Sequence, residues 1–523
     1  MPEKRTTVFL FILITFLAGI FRLSRIDLME YKADEAINVF LATRARFGHA
    51  VPPGGTVSSV GILNPPLFNY LLTPISFFST DPQIFALSIA LVNTLAVGAF
   101  FLLVSRYFQR VTALFSSVFL ALAFWPILYS RKIWTQDLVF PATVLMLFSF
   151  CRATIDGQKR YWVLFGIAIA LLSQLHQANI LLLPICIGFF LLNRRKIPIR
   201  PLILGLVMGF LSLVPYLFFL FTKHCIGCYS YRASSHPVDL SLFLHFLLPF
   251  AIAGLNGLYS IFGTDYTQYV TEYFAVGKTK GIDLLIIIAT LFGLVICWKK
   301  YKDFRFLPFL FVVLPLSFFF LRFDTFQHYY LLLLPIVFLF LGISFATFYT
   351  SRHLSLRIIS IVLFIVIAGS YIFVDISFFD FLAKQKQLHG DYGNTYLISK
   401  EVSLKRLSGL DTDEYYPEMF IASFVPLQSI SGPDTIASSV YSLRDVESRL
   451  PEYDLRLTIV PVDPRMHLLL TAFYTQNPVT WDTLILVYRK SQKIVGYQPI
   501  FARLLDTYAD ENSLRKQSIV FPK

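Results

Sequence analysis

Runs of apolar residues recur along the first three quarters of the chain, near 8–23, 84–104, 111–129, 133–150, 161–175, 178–192, 201–221, 282–298, 306–321, 329–349 and 357–376. Each approaches the ~20 residues an α-helix needs to cross hydrocarbon, so the pattern predicts about eleven transmembrane helices. The connections 106–110, 152–160, 193–200, 299–305 and 351–357 are short and rich in Lys and Arg. Such loops stay on the cytoplasmic side, together with Lys4 and Arg5. The segment "LFLHFLLPFAIAGLNGLYSIFG" within 241–281 is long enough to cross. A crossing there would move 299–305 and 351–357 outside, and His245, Pro249, Gly254, Asn256 and Gly257 suit a broken interfacial segment better.

This parity puts residues 24–83, 130–133, 223–281, 322–328 and everything after about 377 on the extracytoplasmic side. Composition changes at the last boundary: "TYLIS", "MFIASFV", "LRLTIVPV" and "TLILVYR" read as short strands, "SLRDVESRL" and "RMHLLLTAFYTQ" as helices. The fold class is therefore an α-helical polytopic membrane protein with a C-terminal extracytoplasmic α/β domain. Residues 1–376 form the transmembrane domain, with outer loops 24–83 and 223–281, and residues 377–523 form the soluble domain.

Composition agrees. The chain is 56% hydrophobic, 15% charged and carries 55 Phe, too apolar for a soluble core of 523 residues. The net charge of +13 matches basic loops retained against anionic lipid, and no basic domain stands apart to bind nucleic acid. The basic, apolar start resembles a signal peptide, but no small-x-small site precedes Arg22 and many spans follow. Five Cys are too few for a disulfide framework; Cys225 and Cys228 form one pair that suits a disulfide, a metal or neither.

Four outer stretches carry polar groups. In "YKADEAINVFLATRARFG" a helix from Asp34 sets Ala36, Val39, Phe40 and Thr43 on one side and Glu35, Asn38 and Arg46 on the other, as a helix lying on the membrane surface requires. Asp34 is then its N-cap with Glu35 complementing the helix dipole, or Asp34 is a catalytic base. In "GILNPPLFNYLL" the two prolines stiffen the chain and aim Asn64 and Tyr70 at the re-entry into the membrane. The turn "LYSRKIWTQDL" puts Arg131, Lys132 and Asp137 at the outer interface, where cations either snorkel to lipid or bind a particular anionic head group. "LRFDTFQHYYLLLLP" compresses Arg322, Asp324, Gln327, His328, Tyr329 and Tyr330, which read as an interfacial belt or as binders of a phosphate and of sugar hydroxyls. His176, Gln177 and His224 add polar groups on the same side, without zinc-like spacing.

The order of these pieces resembles the GT-C membrane glycosyltransferases, in particular the protein O-mannosyltransferase and aminoarabinose-transferase branch, over roughly residues 5–350. The resemblance implies an inverting hexosyl- or pentosyltransferase of the plasma (inner) membrane. It implies a polyprenyl-phosphate-linked sugar as donor and an extracytoplasmic protein, lipid or glycan as acceptor. It assigns Asp34 as general base with Glu35 beside it, and Arg131, Lys132, Arg322, His328 and Asn64 to the donor phosphate. Tyr329, Tyr70, Asp137 and His176 take the sugar or acceptor. At the Asn64 position the aminoarabinose transferases typically carry Lys and other relatives often His. Asn hydrogen-bonds a phosphate without neutralising it, so the charge there passes to Arg131, Lys132 or Arg322. No particular cofactor follows from the sequence; the first-loop Asp-Glu has no Asp-x-Asp nearby, and a divalent metal stays open. A transporter or flippase would need charges at mid-depth or repeat symmetry. A glycan polymerase or ligase of similar topology is the other alternative.

Overall fold

A computed structural model describes residues 2–43, 54–56, 64–79, 81–192, 198–222, 245–321, 325–399, 454–461, 481–490 and 493–503. In chain order its helices are α1 (Pro2–Leu23), α2 (Ala33–Thr43), α3 (Leu67–Ser76), α4 (Pro82–Tyr107), α5 (Arg110–Leu122), α6 (Phe124–Leu128), α7 (Val139–Thr154), α8 (Tyr161–Leu175), α9 (Leu182–Leu192) and α10 (Ile199–Phe210). There follow α11 (Val214–Thr222), α12 (Leu248–Ala251), α13 (Leu258–Phe262), α14 (Tyr266–Glu272), α15 (Lys280–Lys300), α16 (Phe306–Leu321), α17 (Leu334–Tyr349) and α18 (Leu354–Gln385).

All eleven apolar runs are helical. Eight helical stretches among the described residues are long and apolar enough to cross a membrane, and three shorter apolar helices lie at Arg110–Leu122, Tyr161–Leu175 and Gln177–Leu192. The chain is a multi-pass membrane protein. Prolines explain two interruptions. Pro126 in a continuous helix would clash with the carbonyl four residues back, and the chain breaks first, with Ala123 extended between α5 and α6. Before Pro215 a 3-10 turn at Leu211–Leu213 likewise separates α10 from α11. Residues 245–278 form only short helices, broken at Gly257 and Gly263, whose φ values of 88° and 56° favour glycine.

The chain divides into two units. The first comprises Met1–Leu28, Ile89–Leu211 and Arg232–Gly393. In it α17 is enclosed from Leu334 to Ala346 and packs on α5, α15 and α18. Close approach needs small residues: a Cβ at Gly205 would meet the Val163 carbonyl, and one at Gly209 the Ala170 methyl, so this Gly-x-x-x-Gly face lets α10 lie directly on α8.

At the end of α1 two buried arginines satisfy helix-terminal carbonyls. Arg22 donates to Ala18 O at 3.0 Å, Ala121 O at 2.8 Å and Leu120 O at 3.0 Å, so it closes the end of α5. Arg131 donates to the carbonyls of Phe21 and Arg22 in the last turn of α1 and of Ser24 and Arg25 just beyond it, and its guanidinium stands 4.5 Å over the Phe379 ring. Asp375 of α18 is fully buried and lies in the field of both arginines, yet neither of its oxygens accepts a hydrogen bond.

The second unit comprises Met29–Ser88, Ser212–Tyr231 and Asn394–Lys523. In it α2 packs on α3. "TYLIS" departs from the expected strand: Thr395 makes one antiparallel bridge with Glu30, and residues 396–399 turn helical. A five-residue apolar run is too short for its period to decide between the two. "LRLTIVPV" and "TLILVYR" lie in strands, β1 (Asp454–Pro461) and β2 (Trp481–Lys490), which with β3 (Lys493–Arg503) make an antiparallel sheet in the order β1-β2-β3. "MFIASFV", "SLRDVESRL" and most of "RMHLLLTAFYTQ" lie outside the described residues.

Removing one partner of a buried charge cluster typically costs about 3–5 kcal/mol. Asp375→Asn is therefore expected to lower the thermal midpoint of the detergent-solubilised protein sharply. Thermal scans of the single and double variants should give a smaller loss for Asp375→Asn in an Arg22→Met background; strictly additive losses would show that the charges do not interact.

Candidate active site

In the second unit the chain before α2 is tied down by backbone bonds. Tyr31 N–H donates to Asn394 O at 3.0 Å, Tyr396 N–H to Met29 O at 2.9 Å, and the two tyrosine rings meet edge-on with centroids 5.2 Å apart. α2 begins at Ala33, one residue before the expected start, so Asp34 lies inside the first turn and is not the N-cap. Capping falls instead to Glu35, whose Oε2 accepts the Lys32 N–H at 2.9 Å, the reach-back of an N3 carboxylate. Lys32 pairs in turn with Glu30 at 2.6 Å.

The expected water-facing side of α2 is also corrected. Glu35 and Asn38 are buried, as are Val39, Ala42 and Thr43, and α2 packs on α3. Asp34 is intermediate in exposure.

Asn64 is a loop staple. Its carbonyl accepts Gly55 N–H at 2.7 Å, its N–H donates to Thr56 O at 2.9 Å, and its Nδ2 donates to Thr56 Oγ1 at 3.2 Å. α3 follows directly after Pro65 and Pro66, with Tyr70 half-buried and its hydroxyl pKa raised by that burial. Asn69 was not legible as a site residue. Its side chain is buried and neither amide atom finds a hydrogen bond; the one available signal is an Asn inside an otherwise apolar helix.

In the first unit four of the predicted residues come together around a tryptophan. Lys132 Nζ stands 5.8 Å from the Tyr129 ring centroid and 5.4 Å from that of Trp134. Trp134 packs on His328 with centroids 4.8 Å apart, His328 on His176 at 5.8 Å, and Tyr329 on His176 at 4.7 Å and His328 at 4.8 Å. The result is a cationic and aromatic cluster at the helix ends, with one ammonium, two imidazoles and a phenol. Burial pushes the His176 pKa down to about 4, so its ring is neutral near pH 7. His176 Nδ1 and Gln327 Nε2 are buried atoms with no hydrogen-bond partner, which marks polar groups available to a ligand.

Two neighbours of this cluster have different tasks from those expected. Arg131 is buried and bonded to carbonyls, so it is closed to a phosphate; burial lowers its pKa to about 10, leaving it charged near pH 7. Asp137 is buried too: its Oδ2 accepts the Trp134 N–H at 3.0 Å and its carbonyl accepts Asn93 Nδ2 at 3.0 Å. It orients the Trp134 turn. Arg322, Asp324, His224, Cys225 and Cys228 lie outside the described residues. Among the described residues no group of three His, Cys, Asp or Glu converges to hold a metal.

Residues 64–219 match the family model described as dolichyl-phosphate-mannose-protein mannosyltransferase. No curated protein matches. Solved structures that resemble the chain include the Archaeoglobus fulgidus oligosaccharyltransferase in complex with zinc and sulfate, at 16% identity and a TM-score of 0.47. That likeness covers 77% of this chain and 56% of the oligosaccharyltransferase, so this chain spans little more than half its length. ArnT from Cupriavidus metallidurans, bound to undecaprenyl phosphate, is 13% identical with a TM-score of 0.49, covering 94% of this chain and 97% of ArnT. The family match is thus confined to residues 64–219, on a chain whose apolar runs are helical, and it is what this protein is similar to over that stretch.

Proposed function

We propose that the chain is an inverting membrane glycosyltransferase that moves a sugar from a polyprenyl-phosphate donor to an extracytoplasmic acceptor. The observation that carries this reading is the family match over residues 64–219, a stretch that holds Asn64, Tyr70, Lys132 and His176. A lipid-phosphate donor keeps its reacting carbon at the membrane interface, so the groups that act on it must sit at helix ends. The Lys132–Trp134–His328–His176–Tyr329 cluster has that position and the right chemistry.

In this reading the Asp34 carboxylate accepts the proton of the acceptor hydroxyl as the hydroxyl oxygen attacks the anomeric carbon. The bond from that carbon to the phosphate oxygen breaks on the opposite face, with inversion, and the electron pair leaves on the lipid phosphate. The Lys132 ammonium and the His328 imidazole receive that anion, with Arg322 as a further cation. His176 and Tyr329 offer hydrogen bonds and ring faces to the sugar, and Tyr70 to the acceptor. Glu35 and Asp137 act through the backbone they cap, and Arg131 through the carbonyls it holds. The acceptor is a protein, lipid or glycan, and the domain after α18 is extracytoplasmic in this topology.

Membranes carrying Asp34→Asn are expected to lose at least ~10²-fold of their transfer of labelled sugar from a polyprenyl-phosphate donor, the usual scale of general-base catalysis, with the thermal midpoint unchanged. Full activity would remove Asp34 from the role of base. Lys132→Gln should chiefly raise the donor KM, by about tenfold for one lost cation, as measured by initial rates across donor concentrations. Neutral His176 has a stability signature as well. The unfolded chain takes up its proton below about pH 6.5, the folded chain only near pH 4, so stability present above pH 6.5 is lost as pH falls between these values. The thermal midpoint of wild type should drop more from pH 7 to pH 5 than that of His176→Gln.

A further inference from the structure

At the helix ends carrying the basic connections, aromatic contacts join two basic stretches that are far apart in sequence. Phe108, just beyond α4, packs on Phe304 at 4.4 Å and on Tyr301 at 4.9 Å, and Tyr107 meets Phe304 at 6.3 Å. This brings Arg106 beside the run Lys299, Lys300 and Lys302, all exposed. The cations of this face are not equivalent. Arg106 and Arg152 share Asp156, at 3.0 and 2.6 Å, and the Tyr107 hydroxyl donates to the same carboxylate at 3.0 Å. Arg305 is folded back on Trp298, donating to its carbonyl at 3.2 Å with its guanidinium 5.3 Å from the ring. Among the described residues Lys299, Lys300 and Lys302 enter no ion pair, and the Lys300 ammonium is 5.5 Å from the Tyr301 ring.

Ring depth sets cation depth. Trp and Tyr settle at the level of the head groups. Trp298 and Tyr301 bracket Lys299 and Lys300, and Tyr107 adjoins Arg106, so the three lysines and Arg106 meet the layer where lipid phosphates lie. We propose that the aromatic platform of Phe108, Tyr301 and Phe304, edged by Lys299, Lys300 and Lys302, is a docking surface for the head groups of anionic phospholipids. The partly exposed rings of Phe108 and Tyr301, backed by buried Phe304, lie against the glycerol and acyl boundary while the ammonium groups hold the phosphate and reject a zwitterionic head group that brings its own cation. The surface serves the membrane-embedded fold and does not depend on the transferase reading.

The test is native mass spectrometry of the full-length protein released from detergent, with phosphatidylglycerol or phosphatidylcholine of equal chain length as the probe. Wild type should retain phosphatidylglycerol over phosphatidylcholine. The triple variant Lys299→Gln, Lys300→Gln, Lys302→Gln should lose this preference by up to about a hundredfold, on the basis of roughly fivefold per lysine near a charged membrane surface. The triple change to Arg, which keeps the charges, should retain it. Equal retention of the two lipids by wild type would overturn the proposal, as would a full preference in the Gln variant at an unchanged thermal midpoint. Displacement of the lipid by millimolar inorganic phosphate would also overturn it, by showing a site for the free ion.

Discussion

Four carbonyls at the end of α1 converge on the single guanidinium of Arg131, and the end of α5 is closed in the same way by Arg22. A helix end leaves carbonyls without partners inside the helix, and each one buried unpaired costs free energy. A buried guanidinium with five donors is one of the few side chains able to satisfy several at once. The buried carboxyl of Asp375, on α18, lies in the field of both cations. The helix ends of this unit, and the chain that leaves α1 at Arg22, depend on that arrangement.

Capping recurs wherever the chain must hold a polar residue at a helix end. Glu35 ties the Lys32 amide and Asp137 ties the Trp134 amide, in both cases a carboxylate three residues into the turn reaching back. The second of these orients Trp134, on whose ring Lys132 and His328 lie. A precise turn thus converts one aromatic side chain into the common wall of a cation and an imidazole. The proposed chemistry uses Lys132, His328, His176 and Tyr329, while the buried carboxylate and the buried arginine beside them keep the wall in place.

Each end of the bundle uses its cations differently. On the basic-loop side Asp156 neutralises two arginines and leaves an exposed lysine run beside tilted aromatic rings. At the other end Arg131 is spent on carbonyls and Lys132 stays at the edge of the cluster. Lysine and arginine divide these tasks by chemistry: a planar fork fits several carbonyls or a carboxylate, and a compact ammonium suits a mobile phosphate.

The sequence by itself determined the eleven apolar runs, the broken segment at 245–278 and the polar stretches that cluster at helix ends. Hydrocarbon imposes a length and a composition that are local properties of the chain. Pro126 and Pro215 were visible as letters, and their effect, a break inside a run, follows from the missing N–H. Which carboxylate caps α2, whether Arg131 meets a phosphate or a row of carbonyls, and whether Asp137 faces a ligand or the Trp134 amide were decided only by the tertiary structure. The reason is physical. A charged side chain has the same local pattern whether its partner is solvent, a ligand or a backbone group, and for Arg131 those partners lie about a hundred residues away.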